Sequence, residues 1–589
     1  MAMLNRNGAV ASIFLMAIAS CFFNLQAEET VTCSANDREA LLEFKKGIKE
    51  DTTEILKSWT AMTDCCGSWE GVECEPKNGR VIRLILQNRA PDSENTLTFM
   101  RGTLSPSLGN LKFLEVLIIG DMKYISGTIP AAISGLSKLT QLYIENCQVQ
   151  GSIPAELGEL SSLRALSLAG NRLNGRIPAA LGNIKTLVQL NLGSNRLTGN
   201  LPAAISKLRA LENLDINNNL LYGPLPDFIG FFSKLTYLDL SRNFFSGEIP
   251  SSFTKLSALL DLNLAQNRLT GPVPYGLSPS LNTLSLGNNM LSGPVPESLS
   301  RLSKLWYFNV SRNHLSGGLP ITLRKSSSLL TLDLSYNDLH LGRLPDWIST
   351  KDITTLHLAA CGIYQPLEMW KPPALLSSLD LSHNYLTGDI THIFSNISGL
   401  EMLALANNSL SSNLLTLSLP DTISRLDLHS NKIFGPVDGI LNKFSELKFI
   451  NLANNQIKGR LPEITSESGI EWLDLSSNEL WGTIPPSIAM LKMIVRLDLS
   501  GNRLVGKIPG NVGALKELRW LDLSRNELKG RIPEQMLGLK HMKHLALKNN
   551  HLCGEIPQGK PLILFKSNAF LHNDCLCGHP LPPCKKFMM

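Results

Sequence analysis

About every 24 residues from Cys147 to Asn550, the chain returns to L-x-x-L-x-L-x-x-N-x-L-x-G-x-[ILV]-P. One copy runs Leu163, Leu166, Leu168, Asn171, Leu173, Gly175, Ile177, Pro178, and the next Leu187, Leu190, Leu192, Asn195, Leu197, Gly199, Leu201, Pro202. A unit of this size cannot bury its own apolar face, so copies must stack into a solenoid. A length of 589 residues would otherwise suggest several domains. Repeat arrays grow in one dimension and offer a long, repeated surface instead of one catalytic cleft.

Within a copy, Leu-x-Leu has the period of a strand, so both Leu face the core and their neighbours face outward on the concave side. The Asn that follows has donors and an acceptor for the backbone of the adjacent coil, and sixteen copies keep it, from Asn171 to Asn550. Gly permits the next turn, an apolar residue enters the core, and Pro ends pairing. A stretch such as Ala179 to Ile184 suits a short helix or 3₁₀ turn on the convex side. Weaker copies near Leu84 and Leu117 bring the total to about 20 repeats.

The ends differ from the array. Residues 1–27 read as a secretory signal: Arg6 is the only charge before an apolar run from Ala9 to Phe23, too short for a membrane span. No later apolar stretch is long enough to cross a membrane, and Lys585 to Met589 offer no hydrophobic tail for a lipid anchor. The expectation is a secreted, extracellular or wall protein, held at the plasma membrane only through a partner or a further segment beyond Met589. Charge is near balance, 55 Lys and Arg against 50 Asp and Glu, which does not call for nucleic acid. Removing the signal takes one Arg, leaving 54 − 50, or about +4.

Four cysteines precede the repeats (Cys33, Cys65, Cys66, Cys74) and four follow them (Cys553, Cys575, Cys577, Cys584). The end faces of a solenoid need caps, and an oxidising compartment lets disulfides hold small ones. Adjacent Cys65-Cys66 and Cys575-x-Cys577 are too close for zinc-ribbon spacing, so no metal or cofactor is expected. Spacing alone does not fix the pairing. Cys147 and Cys361 fall on the Asn position and should be buried, reduced and inert. These boundaries give a cysteine cap at 28–80, repeats at 81–557 with an irregular stretch at 338–424, and a C-terminal cap and tail at 558–589.

The motifs resemble the extracellular leucine-rich-repeat proteins of plants: receptor-like proteins, receptor-kinase ectodomains and polygalacturonase inhibitors. Gly-x-Ile-Pro is their hallmark. The N-terminal cap is similar in Asp37 to Lys45, Ser58-Trp59, Asp64-Cys65-Cys66 and Trp69 to Cys74, and the C-terminal cap in Leu576 to Cys584. The resemblance implies an α/β solenoid, a right-handed superhelix with a parallel concave β-sheet. It implies the bonds Cys33–Cys65, Cys66–Cys74, Cys553–Cys575 and Cys577–Cys584. The chain departs from parts of that class, with about twice the repeats of a typical polygalacturonase inhibitor and neither a kinase nor a long island insertion. At 338–424, Gly-x-Ile-Pro is lost around Cys361 to Pro366 and again after Asn408, amid Trp347, Trp370 and Pro372-Pro373. That stretch is either drift on the convex side or a bend or side-on contact.

Outward strand positions are free of core duties, so they can encode binding. The residue before each inner Leu is Tyr237 and Tyr307 in two middle copies, then Arg425, Phe449, Trp472, Arg496, Trp520 and His544 in six consecutive ones. Such a row, about 5 Å from coil to coil, has the composition of a binding hot spot, though aromatics also stack simply to stabilise a sheet. The next column is mostly acidic: Asp215, Asp239, Asp333, Asp380, Asp427, Asp474, Asp498 and Asp522. It lacks a differentiated acid–base pair or converging oxygens for calcium, but beside Arg425 and Arg496 it can orient a basic partner. Sequons stand at Asn309, Asn396 and Asn407. A glycan on Asn309 would block the middle of the concave face.

No H-E-x-x-H, G-x-S-x-G or P-loop is present, so the chain is not expected to be an enzyme. The expected function is recognition of an extracellular protein, peptide or wall glycan in defence or developmental signalling, with a membrane receptor kinase supplying the output. The alternatives are an inhibitor of a wall-degrading enzyme such as polygalacturonase and a structural wall protein.

Overall fold

A computed structural model describes residues 32–88 and 98–584; the signal segment and the last five residues lie outside the described residues. Twenty parallel strands, from Val81–Gln87 to His544–Ala546, form one open concave sheet. Each pairs in register with the strands of the coils before and after, and the period sets that register: Leu190 lies between Leu166 and Leu214. The inward Leu residues form one continuous core along the array. Caps close both ends, as an exposed apolar end face requires. At the first edge, Val72–Cys74 pairs antiparallel with Val81–Gln87. Helix Ala35–Lys46 buries Asp37, whose carboxylate takes Arg80 at 2.8 and 2.9 Å and the Val81 N–H at 2.9 Å. The four disulfides join the expected partners.

The ladder Asn works across coils. Asn195 Nδ2 donates to Leu168 O of the preceding coil at 2.9 Å and to Leu192 O and Gly193 O of its own, while Oδ1 accepts the Leu173 N–H at 2.9 Å. Cys361 places its thiol 3.4 Å from Leu334 O and 3.5 Å from Ala359 O, reproducing the donating half of that arrangement. Burial pushes the Cys147 and Cys361 thiols up to about 12, so both stay protonated donors.

Two features go beyond the sequence reading. The x-Leu-x-Gly stretches that follow the ladder position do more than lead into a turn: they pair between coils as a second ribbon along one flank, from Gln150–Ser152 to Arg268–Thr270 and again from Phe434–Gly435 to Cys575–Cys577. Pro then precedes the first residue of a 3₁₀ turn, as Pro178 does before Ala179–Asn183, and its fixed φ suits that place. The residue immediately before the ladder position is left-handed at twenty places, from Asp121 to His572, with φ between 50 and 69°.

The irregular stretch leaves the concave sheet intact, through Thr355–His357, Ser378–Asp380 and Met402–Ala404. It fragments only the flank ribbon, which falls to isolated bridges such as Gly342 to Ile363 and Pro366 to Thr387. Trp347 and Trp370 are buried in the core there.

Candidate recognition surface

The expected row forms on adjacent strands. Arg425, Phe449, Trp472, Arg496, Trp520 and His544 are direct partners in the parallel register. They stack face to face. The Arg425 guanidinium carbon lies 3.6 Å from the Phe449 centroid, and Phe449 and Trp472 stack at 5.3 Å and 29°. Arg496 is sandwiched between Trp472 at 4.5 Å and Trp520 at 4.2 Å. His544 lies on Trp520 at 3.5 Å and 11°. A guanidinium between two indoles combines cation–π attraction with stacking. The stacking reading of these residues is therefore realised, and the row offers a ligand its edges more than its faces.

Tyr237 and Tyr307 share the column but not the ladder. Thr331, Thr355, Ser378 and Met402 separate Tyr307 from Arg425. The Tyr237 hydroxyl donates to Asp239 at 3.4 Å, and burial, aided by Asp239, Asp215 and Asp261, raises its pKa.

The Asp column has a structural duty that the sequence reading did not supply. Each carboxylate accepts the N–H two residues on, as Asp239 does from Ser241 at 2.8 Å and Asp522 from Ser524 at 2.9 Å. Asx turns of this kind end the strand. The charge remains. From Ala165 to Ala546 the two outward columns hold nine Asp against two Arg, a net of seven negative charges in a chain that is +5 overall. Arg242, Arg312 and Arg525 stand beside this floor in the left-handed row. Arg496 Nη2 reaches Asp498 at 3.2 Å and Asp474 at 3.5 Å. Burial raises the Asp498 carboxyl, and burial lowers the His544 imidazole.

Among the described residues, six buried side-chain polar atoms have no hydrogen-bond partner: Ser326 Oγ, Trp370 Nε1 and, in this row, Trp472 Nε1, Arg496 Nε, Trp520 Nε1 and His544 Nε2, the last lying 3.9 Å from Asp522. Buried polar groups are normally satisfied, so four in consecutive coils set this row apart from the Asn ladder, where partners are complete.

The sequons differ. Asn309 is the Asx residue of its coil, accepting from Ser311 N at 2.9 Å, with Nδ2 donating to Asp333 at 3.1 Å and to the Tyr307 hydroxyl at 3.3 Å. Asn407 Nδ2 sits 3.0 Å from His429 Nε2 and 3.4 Å from His383 Nε2. Asn396 is exposed in the turn that follows Thr391.

Comparison with known proteins agrees with this architecture. A leucine rich repeat N-terminal domain matches 34–75, a leucine rich repeat model matches 492–552, and seven single repeats match between 162 and 491. The solved structure of the Arabidopsis receptor kinase HAESA, in complex with the peptide hormone IDA and the co-receptor SERK1, is 30% identical, with a TM-score of 0.60 over 94% of this chain and 100% of that one. This chain belongs to the plant-type leucine-rich-repeat proteins. Among leucine-rich-repeat relatives, the receptor-like protein EIX2 of Solanum lycopersicum is 31% identical over 137 residues, 23% of this chain and 13% of that protein. A polygalacturonase inhibitor of Vitis vinifera is 37% identical over 111 residues, 18% of this chain and 28% of the inhibitor. Alignments to curated relatives of this kind span between 9 and 36% of their lengths. Among the described residues, no helix is long and apolar enough to cross a membrane.

Proposed function

We propose that the chain is a secreted, non-enzymatic recognition protein that binds an extended, basic peptide segment on its concave face, in defence or developmental signalling. A membrane receptor kinase partner supplies the output. The observation that carries this reading is the ladder from Arg425 to His544, with its unpartnered nitrogens, on an acidic floor. Six coils span roughly 24 Å, the reach of about seven extended residues. An acidic floor repels polyuronate glycans and steers a cationic segment. HAESA, solved with a peptide hormone and a co-receptor, supports both the ligand class and the need for a partner.

Selection from a displayed library of short peptides, run at low salt, is expected to enrich basic sequences. Enrichment of acidic ones would overturn the reading. The triple variant Trp472→Ala, Arg496→Ala, Trp520→Ala is expected to lose binding. Because these side chains hold one another, it also lowers the melting temperature, each lost stacking contact being worth about 1 kcal/mol. Arg425→Ala, exposed at the end of the ladder, gives up only its one contact with Phe449 and separates the two effects by weakening binding with a smaller drop in melting than the triple variant.

The match to the Vitis vinifera inhibitor favours a second reading, blockade of a polygalacturonase. A reducing-sugar assay with the secreted chain added distinguishes the two. For modification, Asn396 is the sequon we expect to be occupied, since its side chain is exposed while Asn309 and Asn407 are engaged. Peptide mass mapping of the secreted protein checks this.

A further inference from the structure

One repeat is the shortest of the array. Neighbouring ladder Asn residues stand 24 apart from Asn243 to Asn267 and from Asn289 to Asn313, but only 22 apart from Asn267 to Asn289. The missing length removes a 3₁₀ turn. Flanking coils have theirs at Ser251–Lys255 and Glu297–Arg301, while the segment after Pro274 forms none. The gap is a notch of about 840 Å³ on the flank, floored by one or two prolines per coil, among them Pro250, Pro272, Pro274 and Pro296.

The notch is fixed in shape. Gly276 N donates to Ser298 Oγ at 3.1 Å and Ser278 Oγ to Ser257 O at 3.1 Å, pinning the short loop to both neighbours. Proline rings lose no rotamer freedom on contact, so the floor is preorganised. Tyr275 stands in the notch with 63% of its surface exposed. Glu248 and Glu297 also line it, both exposed and, among the described residues, in no ion pair. Two nearby cations are engaged elsewhere: Lys255 lies 4.8 Å from the Phe231 ring centroid and Arg268 4.7 Å from that of Phe244.

We infer that this notch is a second docking site, for an arginine-bearing extended segment of a partner protein. A guanidinium stacks on an aromatic face and pairs with carboxylates at once, and its apolar stem lies along the proline floor. The site is separate from the concave ladder and does not depend on the reading of it.

The test uses the full secreted chain and a fluorescein-labelled nonapeptide alternating arginine and serine, followed by anisotropy at low ionic strength. Saturable binding is expected. The citrulline version of the peptide, which keeps shape without charge, is expected to bind at least tenfold more weakly. So is the arginine peptide to Glu248→Gln with Glu297→Gln, or to Tyr275→Ala. Tyr275→Phe keeps the ring and retains binding, which guards against loss through misfolding. Because the concave face is itself expected to take basic peptides, these ratios are read in the triple ladder variant, where the notch alone is left to bind the peptide. Absence of saturable binding, equal binding of the citrulline peptide, or indifference to the Glu and Tyr substitutions would overturn the proposal, as would preferential capture of a neutral oligosaccharide such as cellohexaose.

Discussion

The smallest features of this chain are hydrogen-bonding duties repeated once per coil. Asn337 Nδ2 serves Val310 O at 3.0 Å and Leu334 O at 2.9 Å, and its Oδ1 takes the Leu315 N–H at 3.0 Å. Asn337→Ala leaves buried backbone groups unpaired and is expected to cost about 3 kcal/mol in urea unfolding. Asn337→Cys, which keeps the donating half as Cys361 does, is expected to cost less. A second residue-scale prediction concerns pH. Burial, with Asp239 nearby, raises the Asp215 carboxyl to about 6 from an ordinary 3.8. A carboxyl whose folded pKa is raised binds its proton more tightly when folded, so stability from this group is full below about 3.8 and falls as pH rises to about 6. Asp215→Asn preserves the acceptor for the Asn217 N–H. It is expected to remove that part of the decline and raise stability at pH 7 by of order 1 kcal/mol after allowance for solvent screening. Melting temperatures from pH 4 to 7 for both proteins check it.

Elements here are held by how closely coils approach. The 3₁₀ turns Ala179–Asn183 and Ala203–Lys207 stack so tightly that a Cβ on Gly182 would lie 2.2 Å from the Ala204 carbonyl oxygen. Gly182→Ala must push the two coils apart and is expected to cost about 2 kcal/mol, read as a lowered urea midpoint. At this scale the sequence was partly legible. Leu-x-Leu and Asn announced the strands and the ladder because each repeats with one unambiguous demand. The flank ribbon was hidden because its strands are three to five residues long where the six-stranded part runs, and they run into a Gly and a Pro that read as turn and breaker. The left-handed row left a trace in Asn146, Gly170, Asn218, Asn288 and Gly501, residue types that tolerate that region. Tyr336 and Arg242 in the same row obscured it. The order of the ladder from Arg425 to His544 followed from the period, but its face-to-face stacking and orphaned nitrogens depend on rotamers, which no pattern states.

Across the whole molecule, stability is a sum of coils and the contacts between neighbours, so local openings should begin where inter-coil pairing is thinnest. The concave sheet is uniform, while the flank ribbon is reduced to bridges between Leu315 and Thr387. Hydrogen exchange by mass spectrometry is expected to show faster exchange in flank peptides of that stretch than in those from 150 to 270. Concave strands of both regions should be protected alike; uniform flank protection would show that the bridges suffice. The Asn ladder carries a further consequence at this scale. Every Asn completes the coil before it and none the coil after, so the array has a head and a tail. The last regular coil, whose Leu552 N–H needs an acceptor, receives it from Asn573, inside the segment tied down by Cys553–Cys575. Coils can therefore be deleted from the interior and the ends rejoined, but a chain cut short from the C-terminal side stays open at its tail unless residues 551–584 are grafted back onto the new last coil.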